Sequence, residues 1–184
     1  MKLKNIKEYI QSDLYRYTGK ISFKLIIKNY FLNRGFKYTL WLRLCKSDIF
    51  IIKFVARVMH WRLSRKYLIQ IPHVTKIGYG LYLGHHMCLV VNGTAILGNN
   101  VNLSQFTTIG SNAGSKAAVI GDNVYIGPGC CIVGNVYIGN NSTVGAGSVV
   151  VKDIEENTTV AGTPTKLIST KTPGRFVNRR WSLI

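Results

Sequence analysis

Two patterns of apolar and polar positions divide the chain. Over the first seventy residues apolar side chains recur every three or four positions: Ile21, Leu25 and Ile26, then Leu40, Trp41 and Leu44, then Ile49, Ile52, Val55, Ala56, Met59 and Leu63. That is the period of an amphipathic helix. Lysines and arginines lie between them, among them Lys53, Arg57, Arg62, Arg65 and Lys66, with Tyr, Trp and Phe interleaved. Ser12 and Asp13 are placed to cap a short helix that Gly19 would end.

From about residue 77 the period becomes six. Ile120, Ile126, Ile132, Ile138, Val144 and Val150 keep that spacing without exception, and Gly121, Gly127, Gly139 and Gly145 follow four of them. Four positions after each of the first five stand Val124, Cys130, Val136, Ser142 and Ser148, all small or β-branched. Upstream, Ile77-Gly78, Leu83-Gly84, Leu97-Gly98, Leu103 and Ile109-Gly110 keep the same beat. It is broken by about two extra residues near Leu89–Val91 and by a longer insertion at Ser111–Ala118.

Neither a 3.6 nor a 2.0 period produces sixes over this length, so the pattern predicts a parallel β-helix built from hexapeptide repeats. One aliphatic side chain per hexad points inward and stacks on its neighbours. The glycine beside it is expected to permit backbone angles that other residues avoid. Asn99, Asn100, Asn123, Asn140 and Asn141 tolerate the same left-handed conformations. After Val151 the beat stops in a polar turn, and the last residues show no period. The expected organisation is a helical region over 1–70, a β-helix over 71–168 and a basic tail over 169–184, mainly β overall with an N-terminal α-helical subdomain.

Composition adds one fact that changes this picture. The 184 residues are 47% apolar and 17% charged, enough to bury a core, yet 24 Lys and Arg face only 7 Asp and Glu, a net charge of +17. Residues 1–70 hold +13 of it, residues 71–165 hold −1 and residues 166–184 hold +5. Uniformly basic proteins of the ribosomal or histone kind are thereby excluded. The basic helices read as a solvated face, as a phosphate-binding surface, or as a surface for an anionic membrane. No nucleic-acid motif supports the second. The expectation is a cytoplasmic protein that associates peripherally with the inner face of the membrane. No continuous apolar stretch follows the N-terminal lysines, and Ile49–Met59 is interrupted by Lys53 and Arg57, short of the ~20 residues a span needs.

The four cysteines, Cys45, Cys88, Cys130 and Cys131, form no Cys-x-x-Cys pair and read as reduced, packed thiols. Of the histidines, His60 and His73 read as packing or turn residues, whereas His85 and His86 occupy a hexad corner from which side chains project outward. An outward imidazole with a pKa near ~6.5 can take a proton from a hydroxyl. Equally, both are ordinary exposed corner residues. A metal site needs three converging ligands, and between Asp48 and Asp122 there is no acidic residue, so no metal is expected.

The run from Ile77 through Leu83-Gly-His-His-Met-Cys-Leu-Val-Val-Asn92 to Ala95, with Asn102–Gly110, resembles the serine acetyltransferase branch of the hexapeptide acyltransferases. Gly145–Asp153 and Val160–Lys166 resemble that superfamily's closing motifs. The resemblance covers roughly residues 70–168. It implies a left-handed β-helix with three hexads per coil, a homotrimer, and acetyl-CoA bound between subunits. It puts the catalytic histidine on His85, acting as general base in direct acyl transfer, with Gly127, Pro128, Ala146 and Val151 along the coenzyme and Lys152 and Lys166 near its phosphates.

Three positions depart from the serine enzymes. Gly84 and Gln70 stand where they carry Asp, and Ala117 stands near their second active-site histidine. Carboxylates would hold the ammonium group of serine. Their absence, with Gly-His followed by Leu89-Val-Val-Asn92, is similar to sugar and capsular-polysaccharide O-acetyltransferases of the same branch. The expected acceptor is therefore a sugar hydroxyl of a cell-surface glycan or its lipid-linked precursor, with His86, Asn92 and Gln70 on the substrate side. Two alternatives stand beside it: a serine O-acetyltransferase of cysteine biosynthesis, and a non-catalytic β-helix scaffold or membrane-surface module.

Overall fold

A computed structural model describes residues 1–182. Four helices come first: α1 (Leu3–Thr18), α2 (Phe23–Leu32), α3 (Arg34–Leu44) and α4 (Phe50–Tyr67). From Ile69 onward the chain winds as a left-handed β-helix of about five turns whose strands form three parallel sheets. The first sheet stacks Ile69–Gln70, Leu89–Val91, Thr108–Gly110, Cys131–Val133 and Val149–Val150. The second runs from Lys76–Ile77 to Tyr137–Ile138, and the third from Tyr82–Leu83 to Thr159–Ala161, closed by antiparallel Lys166–Ser169.

The six-residue beat maps onto the core as its physics requires. Leu83, Leu103, Ile126 and Val144 stack in one column and are buried, as are Val124, Cys130, Val136, Ser142 and Ser148. The glycines beside the aliphatic residues are there for a different reason than left-handed torsion. A Cβ on Gly98 would stand 2.7 Å from the backbone carbonyl of Gly121 in the next coil, so coil-to-coil approach excludes any side chain. The left-handed positions at that corner belong to Asn100, Asn123, Asn141 and Asn157. Their side chains form a ladder, Asn100 Nδ2 donating to Asn123 Oδ1 at 3.1 Å and Asn123 Nδ2 to Asn141 Oδ1 at 3.1 Å. Asn99 and Asn140 instead accept backbone N–H groups, from Tyr79 and Asp122.

The helices cap the open first coil. Ser12 and Asp13 lie within α1, not before it, because their side chains are needed at the solenoid's end: Gly80 N donates to Ser12 Oγ at 2.9 Å and Leu81 N to Asp13 Oδ1 at 2.8 Å. Gly19 does end α1, at φ +69°. Arg43 of α3 pairs with Asp13 at 2.9 Å and donates to the carbonyls of Ile77 and Gly78. Gly35 is required at the closest approach of α3, since a Cβ there would meet the Leu83 carbonyl at 2.9 Å. The basic tail folds back over the third sheet. Trp181 N donates to Asn100 Oδ1, Asn102 Nδ2 donates to the Phe176 carbonyl, and Phe176 packs on Tyr125 with ring centroids 4.9 Å apart.

His60, buried on α4 with its ring 5.1 Å from that of Tyr38, sets an acid limit to this packing. Burial, with the nearby His73, pulls its pKa down to about 4. Between that value and the ordinary ~6.5 the unfolded chain takes up a proton that the folded chain refuses. Stability is therefore complete above about pH 6.5 and falls toward pH 4, by about 3 kcal/mol for a shift of this size. His73, held down by burial and by Arg57 and Lys46, acts in the same direction. Urea unfolding at pH 7 and pH 4.5 measures the slope. It is expected to flatten in His60→Phe, and an unchanged slope there would place the acid sensitivity elsewhere.

Candidate active site

The two extra residues fall in the corner that carries the histidines. Leu83 pairs with Leu103 and Val91 with Ile109, so the corner from Leu83 to Val91 advances eight positions where the next advances six. Corners in this column turn on one left-handed residue each, Phe106, Gly129 and Gly147 in successive coils. The widened corner has two, His85 at φ +54° and Cys88 at φ +52°. The additional length pushes Gly84-His-His-Met87 outward, and His85 is exposed while His86 is half-buried.

Both imidazoles border a cleft of about 430 Å³ between that corner, the third sheet and the tail. Its walls are Tyr82 and Tyr125 from the sheet, Ser104 from the next corner, Tyr17 and Asn33 from the helical cap, and Phe176 from the tail. No carboxylate stands among the lining residues. Burial, then the charges of Arg34 and His85, lowers the pKa of His86, which keeps it uncharged at neutral pH.

The other expected substrate-side residues lie elsewhere. Gln70 and Asn92 border a separate groove of about 630 Å³ outside the first sheet, with Arg57, His60 and Trp61 of α4. Asn92 Nδ2 donates to Ser111 Oγ at 3.0 Å, at the base of the longer insertion. Within one chain, then, His85 and His86 come together and Gln70 and Asn92 come together, on two different faces. Ala117, in the insertion, is buried with its N–H donated to Thr94 Oγ1, so no side chain reaches either cleft from that position.

The expected coenzyme positions lie along the edges of the coils. Gly127 and Pro128 turn the corner two coils below His85, and exposed Ala146 turns the next one. At Gly147, beside it, even a Cβ would meet nothing within 4 Å, leaving backbone open to a ligand. Val151 and Lys152 are exposed at the following corner, and exposed Lys166 opens the last strand. Among the described residues the single ion pair is Asp13–Arg43, so both lysines are free for an anion. The cap and the tail are what sequence reasoning missed: Tyr17, Asn33 and Phe176 border the histidine cleft without any motif to announce them.

Residues 117–152 match the model for the bacterial transferase hexapeptide, six repeats. The chain is 38% identical over 122 residues to mitochondrial serine acetyltransferase 3 of Arabidopsis thaliana, covering 65% of this chain and 31% of that one. Among solved structures it is similar to the Neisseria gonorrhoeae serine acetyltransferase in complex with serine, at TM-score 0.71 and 30% identity, over 90% of this chain and 70% of that one. It is also similar to the Brucella abortus serine acetyltransferase in complex with coenzyme A, at TM-score 0.68 and 30% identity, over 89% and 66%. The chain spans between 31% and 39% of the length of the plant serine acetyltransferases it matches.

These matches overturn the glycan acceptor expected from Gly84 and Gln70. They are to serine acetyltransferases, and the structural likeness runs through the helices as well as the repeats. The physical weakness of the glycan argument lies in what it asked of the carboxylates. An ammonium group is also held by neutral oxygens and aromatic faces, and Ser104, Tyr82 and Tyr125 line the His85 cleft.

Proposed function

The chain belongs to the hexapeptide-repeat acyltransferases, and from that premise we propose that it is an acetyl-CoA-dependent serine O-acetyltransferase with His85 as its general base. The observation that carries this reading is the likeness over 90% of the chain to an enzyme solved with serine in place, joined to an exposed imidazole at a widened corner. His85 takes the proton of the serine hydroxyl as the oxygen attacks the thioester carbonyl carbon. The tetrahedral oxyanion is met by backbone N–H groups; its collapse breaks the C–S bond, and the imidazolium returns the proton to the departing thiolate. The products are O-acetylserine and coenzyme A, and no acyl-enzyme intervenes.

In this reading coenzyme A lies along the open backbone at Ala146 and Gly147, with Lys152 and Lys166 supplying charge to its phosphates. Three copies assemble about the β-helix, and a site shared between neighbours brings the Gln70–Asn92 groove of one copy toward the His85 cleft of the next. That arrangement gives a reason for two half-open grooves on different faces. Thiol release from acetyl-CoA, followed with L-serine and with a panel of hexoses, tests the reading. The expected kcat/KM for serine exceeds that for any sugar by at least a hundredfold. A sugar preference would overturn the acceptor, and no turnover with any acceptor would leave a scaffold.

A further inference from the structure

Helices α2 and α4 both pack on α3, yet each turns large apolar side chains to solvent. No residue of α2 is buried, and Phe23, Phe31 and Leu32 are each more than 70% exposed. On α4 the inner face is taken by Ala56, His60, Leu63 and Tyr67. Its outer face presents Phe50 at 77%, Ile51 at 72%, Phe54 at 61% and Trp61 at 55% exposure. Helical spacing placed such aromatics where a core would use them, but the cap is too thin to cover them: its inner surface is spent on the first coil of the β-helix. Exposed apolar surface on this scale is held open for a partner.

The charge says which partner. Neither helix contains a single Asp or Glu, and between them they carry Lys24, Lys28, Lys53, Arg57, Arg62, Arg65 and Lys66. The nearest carboxylate in sequence is Asp48, just before α4. Arg65 lies over the Trp61 ring, its Cζ 4.2 Å from the centroid, the pairing of aromatic plane and cation suited to a headgroup boundary. A second copy docked by the same face about a two-fold axis would bring these seven cations against seven more, with no carboxylate on either helix to meet them. A nucleic acid would satisfy the cations and leave the phenylalanines in water. A surface that is anionic outside and apolar just beneath satisfies both. We propose that the outer face of α4, together with α2, docks on an anionic lipid bilayer, with Phe50, Ile51, Phe54 and Trp61 entering the headgroup region. The inference stands apart from the acetyltransferase reading at Phe50, Ile51 and Phe54, which border neither the His85 cleft nor the Gln70–Asn92 groove; Trp61 alone borders the second of these.

The test is flotation of the full chain with vesicles of phosphatidylcholine containing 30% phosphatidylglycerol, against phosphatidylcholine alone. At 50 mM salt the bound fraction is expected to be at least tenfold higher on the anionic vesicles, and to fall at 500 mM. Phe50→Ser/Ile51→Ser/Phe54→Ser is expected to lose at least tenfold in binding with an unchanged melting temperature and unchanged thiol release, because the three side chains are already exposed. Arg62→Glu/Lys66→Glu tests the charge separately and is expected to lose as much. Tryptophan emission is expected to shift to the blue on the anionic vesicles, a shift absent in Trp61→Phe. Parent protein that stays in the bottom fraction overturns the proposal, as does a triple variant that floats like the parent. A triple variant of lower solution mass by light scattering, from a parent that does not float, would assign the face to a second copy instead.

Discussion

Replacing His85 with alanine is expected to lower kcat for acetyl transfer to serine by about 10²–10⁴-fold, the usual weight of a general base. KM for both substrates is expected to stay within a few fold, since in the proposed mechanism the imidazole acts on the transferred proton and the coenzyme lies along other coils. Two features make the experiment clean. His85 is exposed, so its removal opens no cavity, and assembly and melting temperature are expected to survive. It is also left-handed, at φ +54°, a region Ala tolerates poorly and Asn well. His85→Asn therefore separates lost basicity from backbone strain: both variants should be equally inactive, with Asn the more stable. His86→Ala is expected to lose less than tenfold, because burial and Arg34 make that imidazole a weaker base. If His86→Ala proved inactive and His85→Asn active, the base would be His86.

How much of this was legible in the sequence depended on which interaction recorded itself as a pattern. Column stacking did, because every coil repeats it, and so Ile120 through Val150 marked the core directly. The widened corner did as well, since two added residues disturb a strict beat beside His85. Gly98 was recorded without its reason: a missing side chain looks the same whether torsion or a neighbouring coil forbids it. Contacts made once left no trace. Ser12 and Asp13 fit the pattern of a helix cap, yet they serve Gly80 and Leu81, sixty-eight residues away. The tail was aperiodic because it is held by Asn100 and Asn102 on the repeat surface rather than by a repeat of its own. The acceptor was misjudged from Gly84 and Gln70 because two lost carboxylates are visible in a sequence, and the hydroxyls and rings that line the cleft are not.

Asp13→Ala is expected to destabilise the fold by about 3–5 kcal/mol, the cost of leaving a buried charge without its partner. The carboxylate is 1% exposed and the Arg43 guanidinium side chain 4%, so water replaces little of what is lost. Arg43 Nε and Nη2 each donate to Asp13 at 2.9 Å, and the Leu81 N–H loses its acceptor at the same time. Glu8→Ala on the same helix removes a carboxylate that is not buried and is expected to cost under about 1 kcal/mol. Asp13→Leu/Arg43→Met removes both charges and should recover part of the loss. Recovery stops short of complete because Arg43 also serves the Ile77 and Gly78 carbonyls of the first coil. The same coil leads directly into Leu83 and the histidine corner, and Tyr17 of α1 accepts from the Leu83 N–H. Activity in Asp13→Ala is thus expected to fail at lower temperature than in the parent, in step with unfolding. Urea denaturation of the parent, Asp13→Leu, Arg43→Met and Asp13→Leu/Arg43→Met closes a double-mutant cycle that gives the coupling, and a loss below about 1 kcal/mol for Asp13→Ala would mean the cap is held to the β-helix without help from this ion pair.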